Sequence, residues 1–220
     1  MSKKPLAGIF LVTLMIEAIV GGVVNPLIVA QGQSSQGQIC ITKAQVDLKM
    51  EMRKLWEDHI MYTRMVVVEI VANTTNDATI SRLLRNQDDI GNAIKSYYGD
   101  AAGNKLADLL KQHELLAGGV INAAKAGNST AFDAANNQWF ANADQIAAFL
   151  SQLNPTYWPE PAMKSMFYEH LHLVTAVAIA RLHGDTAADI QAYDNAVNQA
   201  LMMADIFANG IIGQFPAQFC

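Results

Sequence analysis

The sequence predicts an all-α fold: an up-and-down bundle of about six antiparallel helices, arranged as three αα-hairpins and preceded by one N-terminal transmembrane helix. Three observations predict it. The chain is 51% hydrophobic but only 8% aromatic, and it shows no long alternation of β-branched residues. Apolar residues instead recur at helical spacing over long segments. Gly, Pro and Asn-Thr sequences interrupt those segments, as expected of the turns between helices.

The first element is the apolar stretch of residues 1–30, which is basic at Lys3 and Lys4 and carries one internal acidic residue, Glu17. Its apolar run exceeds the about 7–15 residues of a signal-peptide core and reaches the about 20 residues that span a bilayer. We therefore predict a retained membrane anchor with a cytoplasmic N-terminus and an extracytoplasmic main domain. Cleavage of a long signal peptide near Ala30, which would release a secreted protein, is the alternative.

One face of this predicted anchor indicates contact with other membrane helices. Thr13, Glu17 and Gly21 are spaced by four residues and share that face. A carboxylate near the middle of a bilayer costs on the order of a few kcal/mol, and a disposable signal has no use for one. Integral membrane protein subunits are therefore the expected partners of this helix. Residues 31–40 follow as a polar, Gly-containing linker.

Residues 41–220 form the predicted extracytoplasmic helical bundle. Segments of about 22–30 residues joined by loops of a few residues must run antiparallel to their neighbours. The apolar-periodic segments are residues 42–72, 77–98, 104–126, 131–153, 160–182 and 187–212. Turn chemistry marks their ends: left-handed caps are predicted at Gly99, Gly127 and Gly184, N-caps at Asp77, Thr130 and Thr186, and first-turn prolines at Pro159 and Pro161.

A histidine lies near the middle of the first helix of each predicted hairpin: His59, His113 and His170. Residues at mid-helix lie at similar depth in such a bundle, so the three imidazoles are expected to form one polar layer. An Asn-x-Asp-x-Ile sequence in the second helix of the first two hairpins, at Asn86 and Asn142, indicates an internal repeat that the third hairpin lacks. Other polar residues expected near the layer are Glu57, Asp58, Arg64, Asp88, Glu114, Glu169 and His172, whereas Asp144 is expected to face outward.

Three interpretations of the histidine layer remain open. The first is a buried hydrogen-bonded network that fixes the register of the helices, because buried polar groups must be paired. The second is a divalent-metal site with His59, His113 and His170 as ligands, although the Glu-x-x-His spacing of di-iron bundles is absent. The third is acid–base catalysis by the same residues.

Other chemistry is not indicated. The chain has no P-loop, dinucleotide-binding or Gly-x-Ser-x-Gly sequence. We therefore name no catalytic or cofactor-binding residue, and we expect no cofactor apart from the divalent metal of the second interpretation. The net charge of −5, without a cluster of Lys and Arg, is unfavourable for binding nucleic acid.

The cysteines and the glycosylation sequons bear on the cellular compartment in which the bundle lies. An even number of helices brings Cys40 and Cys220 to the membrane-proximal end, which predicts a disulfide in an oxidising compartment; two unpaired thiols are the alternative. The sequons at Asn73 and Asn128 fall in predicted loops at the distal end and are candidate glycosylation sites, although Asn and Thr are also ordinary turn residues.

Several motifs taken together resemble a known family. They are Leu55-Trp56-x-Asp58-His59-x-x-x-Thr63-Arg64, Tyr98-Gly-Asp-Ala-Ala-Gly103, Ala192-Tyr-Asp194 and Gly213-Gln-Phe-Pro-x-x-Phe219, with further matches between them. Over about residues 54–219 the chain resembles a widespread family of uncharacterised, often exported prokaryotic proteins, sometimes loosely labelled glycosyltransferases. The resemblance implies export but no established activity. A His-x-His pair that follows Ala-Tyr-Asp in that family is replaced here by Val197 and Gln199, so a metal site built on the pair would be lost.

These features predict a non-catalytic, single-pass membrane protein whose extracytoplasmic bundle is an accessory or stabilising subunit of a membrane-protein complex. The alternative is an exported metal-binding bundle that uses the histidine layer.

Overall fold

A computed structural model describes residues 41–220, which fold into five α-helices and one short 3-10 helix, with no strand in this range. The all-α prediction is therefore confirmed for this part of the chain. The helices are α1 (Lys43–Ala72), α2 (Asp77–Lys125), α3 (Ser129–Leu153), α4 (Glu160–Leu182) and α5 (Thr186–Gln214), and the 3-10 helix is Pro216–Gln218.

The expected count of six helices is wrong, because the second and third predicted segments belong to one element, α2. This helix is bent sharply at Gly99, whose φ of 83° and ψ of 165° are not helical. Its two limbs pack against each other so closely that a Cβ on Gly91 would lie 2.4 Å from the carbonyl oxygen of Gly103. The lack of a side chain at Gly91 and Gly103 thus permits the fold-back that a separate loop was expected to provide.

Consecutive helices pack against one another, and α5 returns to pack against α1, which closes the bundle. Arg53 of α1 pairs with Asp205 of α5, and Arg64 pairs with Asp189, so these two helices run antiparallel. The core is built from apolar residues at helical spacing on every helix. Its largest fully buried side chains include Trp56, Trp139, Trp158, Phe167 and Phe207.

Most of the predicted helix ends are close to the observed ones. Gly127 and Gly184 have positive φ just after α2 and α4, as predicted, and prolines occupy the start of α4. Gly99 also has positive φ, but it lies inside α2 and does not cap a helix. The predicted N-caps at Asp77, Thr130 and Thr186 are wrong by one or two residues. The capping oxygens belong to Asn76, Asn128 and Asp185, which accept hydrogen bonds from backbone N–H groups of the first turn.

Several predictions lie outside the described residues: the anchor at 1–30 with Thr13, Glu17 and Gly21, the linker at 31–40, and Cys40. Within residues 41–220, no helix has both the length and the apolar character needed to cross a membrane. The exposed Cys220 places its Sγ 4.0 Å from Nε2 of Gln45, near the start of α1. The chain therefore ends beside the point where the described part begins, and the disulfide to Cys40 stays a prediction.

The two sequons lie in exposed turns at one end of the bundle. Asn73 is the left-handed C-cap of α1, and Asn128 is the N-cap of α3. The Lys125 ammonium, at the end of α2, donates to Oδ1 of Asn73 at 2.6 Å, which ties these turns together. Glycosylation at either asparagine stays a prediction.

Candidate functional site

The three predicted histidines meet in the middle of the bundle. His59 of α1, His113 of the second limb of α2 and His170 of α4 are each only 2% exposed. The Nε2 atoms of His59 and His170 are 3.4 Å apart. The ring centroids of His113 and His170 are separated by 6.2 Å. The structure therefore brings these side chains into one layer, as the helical spacing predicts.

Each imidazole has an amide partner on a neighbouring stretch of helix, and the partners follow a nearly constant spacing. Nδ1 of His59 lies 3.2 Å from Nε2 of Gln87, 28 residues later. Nδ1 of His113 lies 2.8 Å from Oδ1 of Asn142, and Nδ1 of His170 lies 3.1 Å from Oε1 of Gln199, each 29 residues later. The third hairpin thus carries the repeat after all, with a Gln where the second has an Asn.

A second recurring contact is further evidence for the internal repeat. Asn142 donates to the backbone oxygen of Leu109, and Gln199 donates to that of Met166, in each case the carbonyl four residues before the partner histidine. In the first hairpin this contact is made by Asn86, which donates to the oxygen of Leu55, while Gln87 contacts the ring. One histidine and one or two amides therefore clamp each pair of helical segments, which supports an internal triplication.

The hydrogen bonds determine which nitrogen of His59 and His170 carries the proton. The Gln87 amide also donates to the oxygen of Leu83, so its nitrogen faces His59 Nδ1, which must accept. His59 is then protonated at Nε2 and donates to Nε2 of His170. His170 in turn donates from Nδ1 to the oxygen of Gln199. The result is one directed chain of hydrogen bonds through α2, α1, α4 and α5.

The hydrogen bonds of His113 are separate from this chain. Its Nδ1–H donates to Asn142, and its Nε2 accepts a 3.0 Å hydrogen bond from the indole N–H of Trp139. Both nitrogens of this ring are therefore occupied by α3. Within residues 41–220, no three His, Cys, Asp or Glu side chains are grouped closely enough to hold a metal ion.

All three imidazoles are neutral at physiological pH. Burial lowers the pKa of His113 to about 3 and that of His170 to about 4, because the charged form loses its hydration. Burial and the two neighbouring rings lower the pKa of His59 well below its ordinary value. A neutral ring both donates and accepts, and the directed chain requires that combination.

A buried carboxyl group borders the layer. Glu114 follows His113 on α2, and its Oε1 lies 3.7 Å from Nδ1 of His59. This pair is not an ion pair at neutral pH, because burial raises the pKa of Glu114 to about 8 while that of His59 is lowered. Glu114 is therefore a protonated, neutral acid next to neutral imidazoles.

Most of the other polar residues expected near the layer lie away from it. Glu57, Glu169 and His172 are exposed, Asp58 pairs with Arg82 and Lys54, and Asp88 pairs with Lys111. Asp144 faces outward, as predicted, where it pairs with Lys164.

Arg64 also does not belong to the histidine layer, which corrects our expectation. Its guanidinium binds Asp189, a residue only 1% exposed, and stacks 4.5 Å from the ring centre of Tyr193. Asp189 also accepts from Arg181 of α4 at 3.3 Å. Sequence reasoning missed Asp189 because an acidic residue in the first turn of a helix is ordinarily explained by the helix dipole.

Sequence reasoning also missed Gln87 and Gln199 as members of the site. The signal that could have found them is the constant offset of 28–29 residues from each histidine to an amide.

Fold and site together define the class: an all-α bundle whose helices are joined by a buried imidazole–amide network. No known protein family, curated protein or solved structure matches this chain. The resemblance to a family of exported prokaryotic proteins stays a prediction, and the function is argued from the geometry.

Proposed function

We propose that this protein is a non-catalytic, membrane-anchored helical bundle that acts outside the cytoplasm as an accessory or stabilising subunit of a membrane-protein complex. The observation that carries the proposal is the pairing inside the histidine layer. The ring nitrogens of His59, His113 and His170 are hydrogen-bonded to another histidine, to a side-chain amide or to the indole of Trp139. Groups bonded in this way are suited to fixing helix register, as polar groups in helical cores do.

A surface groove supports the proposed role as a subunit that contacts another protein. This methionine groove has a volume of about 260 Å³ and lies between α1 and α5. Its lining residues are Met61, Met65, Val68 and Tyr193, with the charged Arg64 and Glu69. The two methionines are 38% and 43% exposed. Methionine adapts to irregular apolar surfaces, so this groove is the face that we assign to a protein partner. The predicted face of Thr13, Glu17 and Gly21 would supply the contact within the membrane.

Purification of the full-length chain from native membranes tests the proposal. We expect residues 1–30 to be present by intact mass, and a membrane protein to co-purify in constant ratio. Gly21→Leu should reduce that ratio because it fills the predicted small-residue face, whereas Ile19→Leu, about 200° away around the predicted helix, should not. A mature chain that starts after Ala30, or a monomer without a constant partner, would refute the proposal.

One distance favours a metal-binding bundle as the second candidate. Two ligand nitrogens about 2.0–2.1 Å from a tetrahedral Zn²⁺ are about 3.3–3.4 Å apart, and the Nε2 atoms of His59 and His170 are separated by 3.4 Å. Both nitrogens would have to face the metal without a proton, which requires Gln87 to turn its oxygen toward His59. That turn would place the amide oxygen against the carbonyl of Leu83, which it cannot bond.

Elemental analysis of the purified full-length protein separates the two candidates. The register-fixing role predicts no stoichiometric metal, and it predicts that His170→Gln lowers stability whether or not a chelator is present. The metal-binding role predicts about one metal ion per chain and a loss of stability on chelation that the His170→Gln variant no longer shows.

A further inference from the structure

Among the described residues that line the methionine groove, Arg64 is the only cationic one. Its Nη2 donates to Oδ2 of Asp189 at 2.8 Å, and its guanidinium lies 4.5 Å from the ring centre of Tyr193, which lines the same groove. The side chain is 27% exposed, and in the described part of the chain no acceptor meets its Nε or Nη1. A guanidinium carries five N–H donors, so Arg64 keeps donors that a bound acceptor can use.

The ion pairs around Asp189 leave an excess of positive charge beside the groove. Oδ2 of Asp189 accepts from Arg64 at 2.8 Å and from Arg181 at 3.3 Å, while its Oδ1 has no hydrogen-bond partner within residues 41–220. No other carboxylate in that range forms an ion pair with either arginine. Two cations therefore share one buried anion, and Arg64 is the cation of the two that lines the groove.

The acidic residues near the groove do not neutralise Arg64. Glu69 also lines the groove, but its two oxygens accept hydrogen bonds from a side-chain hydroxyl and a backbone N–H at the start of α2. Glu57 and Asp194 interact electrostatically with the hydroxyl of Tyr193. Both are exposed, and neither forms an ion pair with Arg64.

We propose that the protein partner of the methionine groove presents an Asp or Glu carboxylate, flanked by apolar side chains, and that this carboxylate pairs with Arg64. The inference rests on the proposed role as a subunit that contacts another protein. An acid is favoured over a base because the groove is lined by an arginine whose positive charge is only shared with Asp189. Apolar flanks are favoured because Met61, Met65 and Val68 form the rest of the wall. Hydrogen bonds between a guanidinium and a carboxylate are charge-assisted and about twice as strong as neutral ones.

Substitutions of Met61 test the sign of the charge that the partner presents. Met61 lines the groove one turn before Arg64 and is 38% exposed, so a polar residue should be tolerated there. When the full-length chain is purified from native membranes, Met61→Glu should retain at least about tenfold less partner than Met61→Gln. The two side chains have the same shape, but the Glu carboxylate competes for Arg64 and repels an acidic partner. Met61→Lys should retain at least as much partner as Met61→Gln. Equal retention by the Glu and Lys variants, or better retention by the Glu variant, would overturn the proposal.

A small-molecule probe tests the groove without the partner. The full-length protein is titrated with 4-phenylbutyrate, and 4-phenylbutanol serves as the uncharged ligand of similar shape. The acid should bind about fivefold more tightly than the alcohol. Met61→Glu should abolish this preference, whereas Met61→Gln should keep it. Equal affinity for acid and alcohol, or no saturable binding of the acid, would contradict the pairing with Arg64.

The two experiments separate this proposal from the accessory role. A partner that co-purifies in constant ratio but is indifferent to the charge at Met61 would leave the accessory role standing and refute the acidic contact. Preference for the acid probe in a protein that has no constant partner would refute the accessory role and support the specificity of the groove.

Discussion

At the scale of single residues, burial decides the chemistry of this protein. Imidazoles titrate near neutrality in water, yet His113 and His170 have pKa values lowered to about 3 and about 4 in the fold. Glu114 is affected in the opposite sense, with a pKa raised to about 8. Because these groups are neutral, each ring nitrogen has a defined role as donor or acceptor, and the network has one direction.

Acid should therefore destabilise the bundle. The histidines bind protons near pH 6.5 when unfolded but only at about 3 to 4 when folded, so their contribution is complete above pH 6.5 and is lost as the pH falls below it. At pH 5, His113 and His170 together should lower the free energy of unfolding by about 4 kcal/mol. Urea unfolding at several pH values measures this. In His170→Gln the dependence on pH should be shallower by about 1.4 kcal/mol per pH unit, and an unchanged slope would contradict the assignment.

The contribution of Glu114 to the free energy of unfolding should have the opposite dependence on pH. Its folded pKa of about 8 lies above the ordinary value of 4.5, so its contribution is complete below pH 4.5 and is lost as the pH rises toward 8. Glu114→Gln should therefore raise the free energy of unfolding by about 3 kcal/mol at pH 7 and leave it nearly unchanged near pH 4. The matched control is Glu57→Gln, on the exposed side of α1, which should change stability by less than about 0.5 kcal/mol at either pH. Equal effects of the two substitutions would refute burial of a neutral acid.

At the scale of secondary-structure elements, the bend in α2 is the unusual feature. Gly99 turns the chain with a positive φ, and the limbs on either side then pack glycine against glycine. Each of the three hairpins is also clamped by a histidine and its amide partner. The bend therefore pairs the two limbs of α2, while the histidine–amide contacts pair α1 with the first limb, the second limb with α3, and α4 with α5.

Two glycines of α2 should respond in opposite ways to replacement by alanine. Gly91→Ala places a Cβ 2.4 Å from the oxygen of Gly103 and should destabilise the protein by about 1–3 kcal/mol or more, because the limbs must separate. Gly118→Ala meets nothing within 4 Å and should stabilise it by about 0.5–1 kcal/mol through helix propensity. Thermal unfolding compares them directly. If Gly91→Ala were neutral, the close packing of the limbs would be wrong.

At the scale of the whole described bundle, the histidine network lies in the interior and the methionine groove lies on the surface between α1 and α5. The interior offers no open catalytic arrangement among the described residues, since the histidine nitrogens are paired within the fold. The methionine groove is the surface that we propose for contact with a partner.

If the methionine groove binds a partner, Met65→Glu should reduce co-purification at least about tenfold, because it puts a charge into an apolar contact. Its effect on the unfolding temperature should be small, since Met65 is 43% exposed. Ile179→Glu on α4, at 42% exposure, is the control and should leave co-purification unchanged. Loss of the partner in both variants would assign the effect to general surface charge rather than to the groove.

Helical periodicity was sufficient to predict the all-α class, the segments on either side of each turn and the convergence of His59, His113 and His170. These follow from local rules, since apolar spacing defines the buried face and mid-helix positions share a depth. The predicted helix count failed at Gly99, where two helical limbs meet at a single non-helical residue without the expected loop between them. The amide partners Gln87 and Gln199 were missed because a buried Gln carries no local pattern that distinguishes it from an exposed one.

The sequence by itself thus determined the helical class and the depth of the histidine layer, because both depend on spacing along one chain segment. Only the tertiary structure decided how the histidines of this layer are hydrogen-bonded and protonated. The 3.4 Å approach of His59 to His170, the hydrogen bonds that orient the rings, and the neutral state of Glu114 all depend on distances between helices. Burial sets those pKa values, and burial is a property of the packed bundle and not of any single segment.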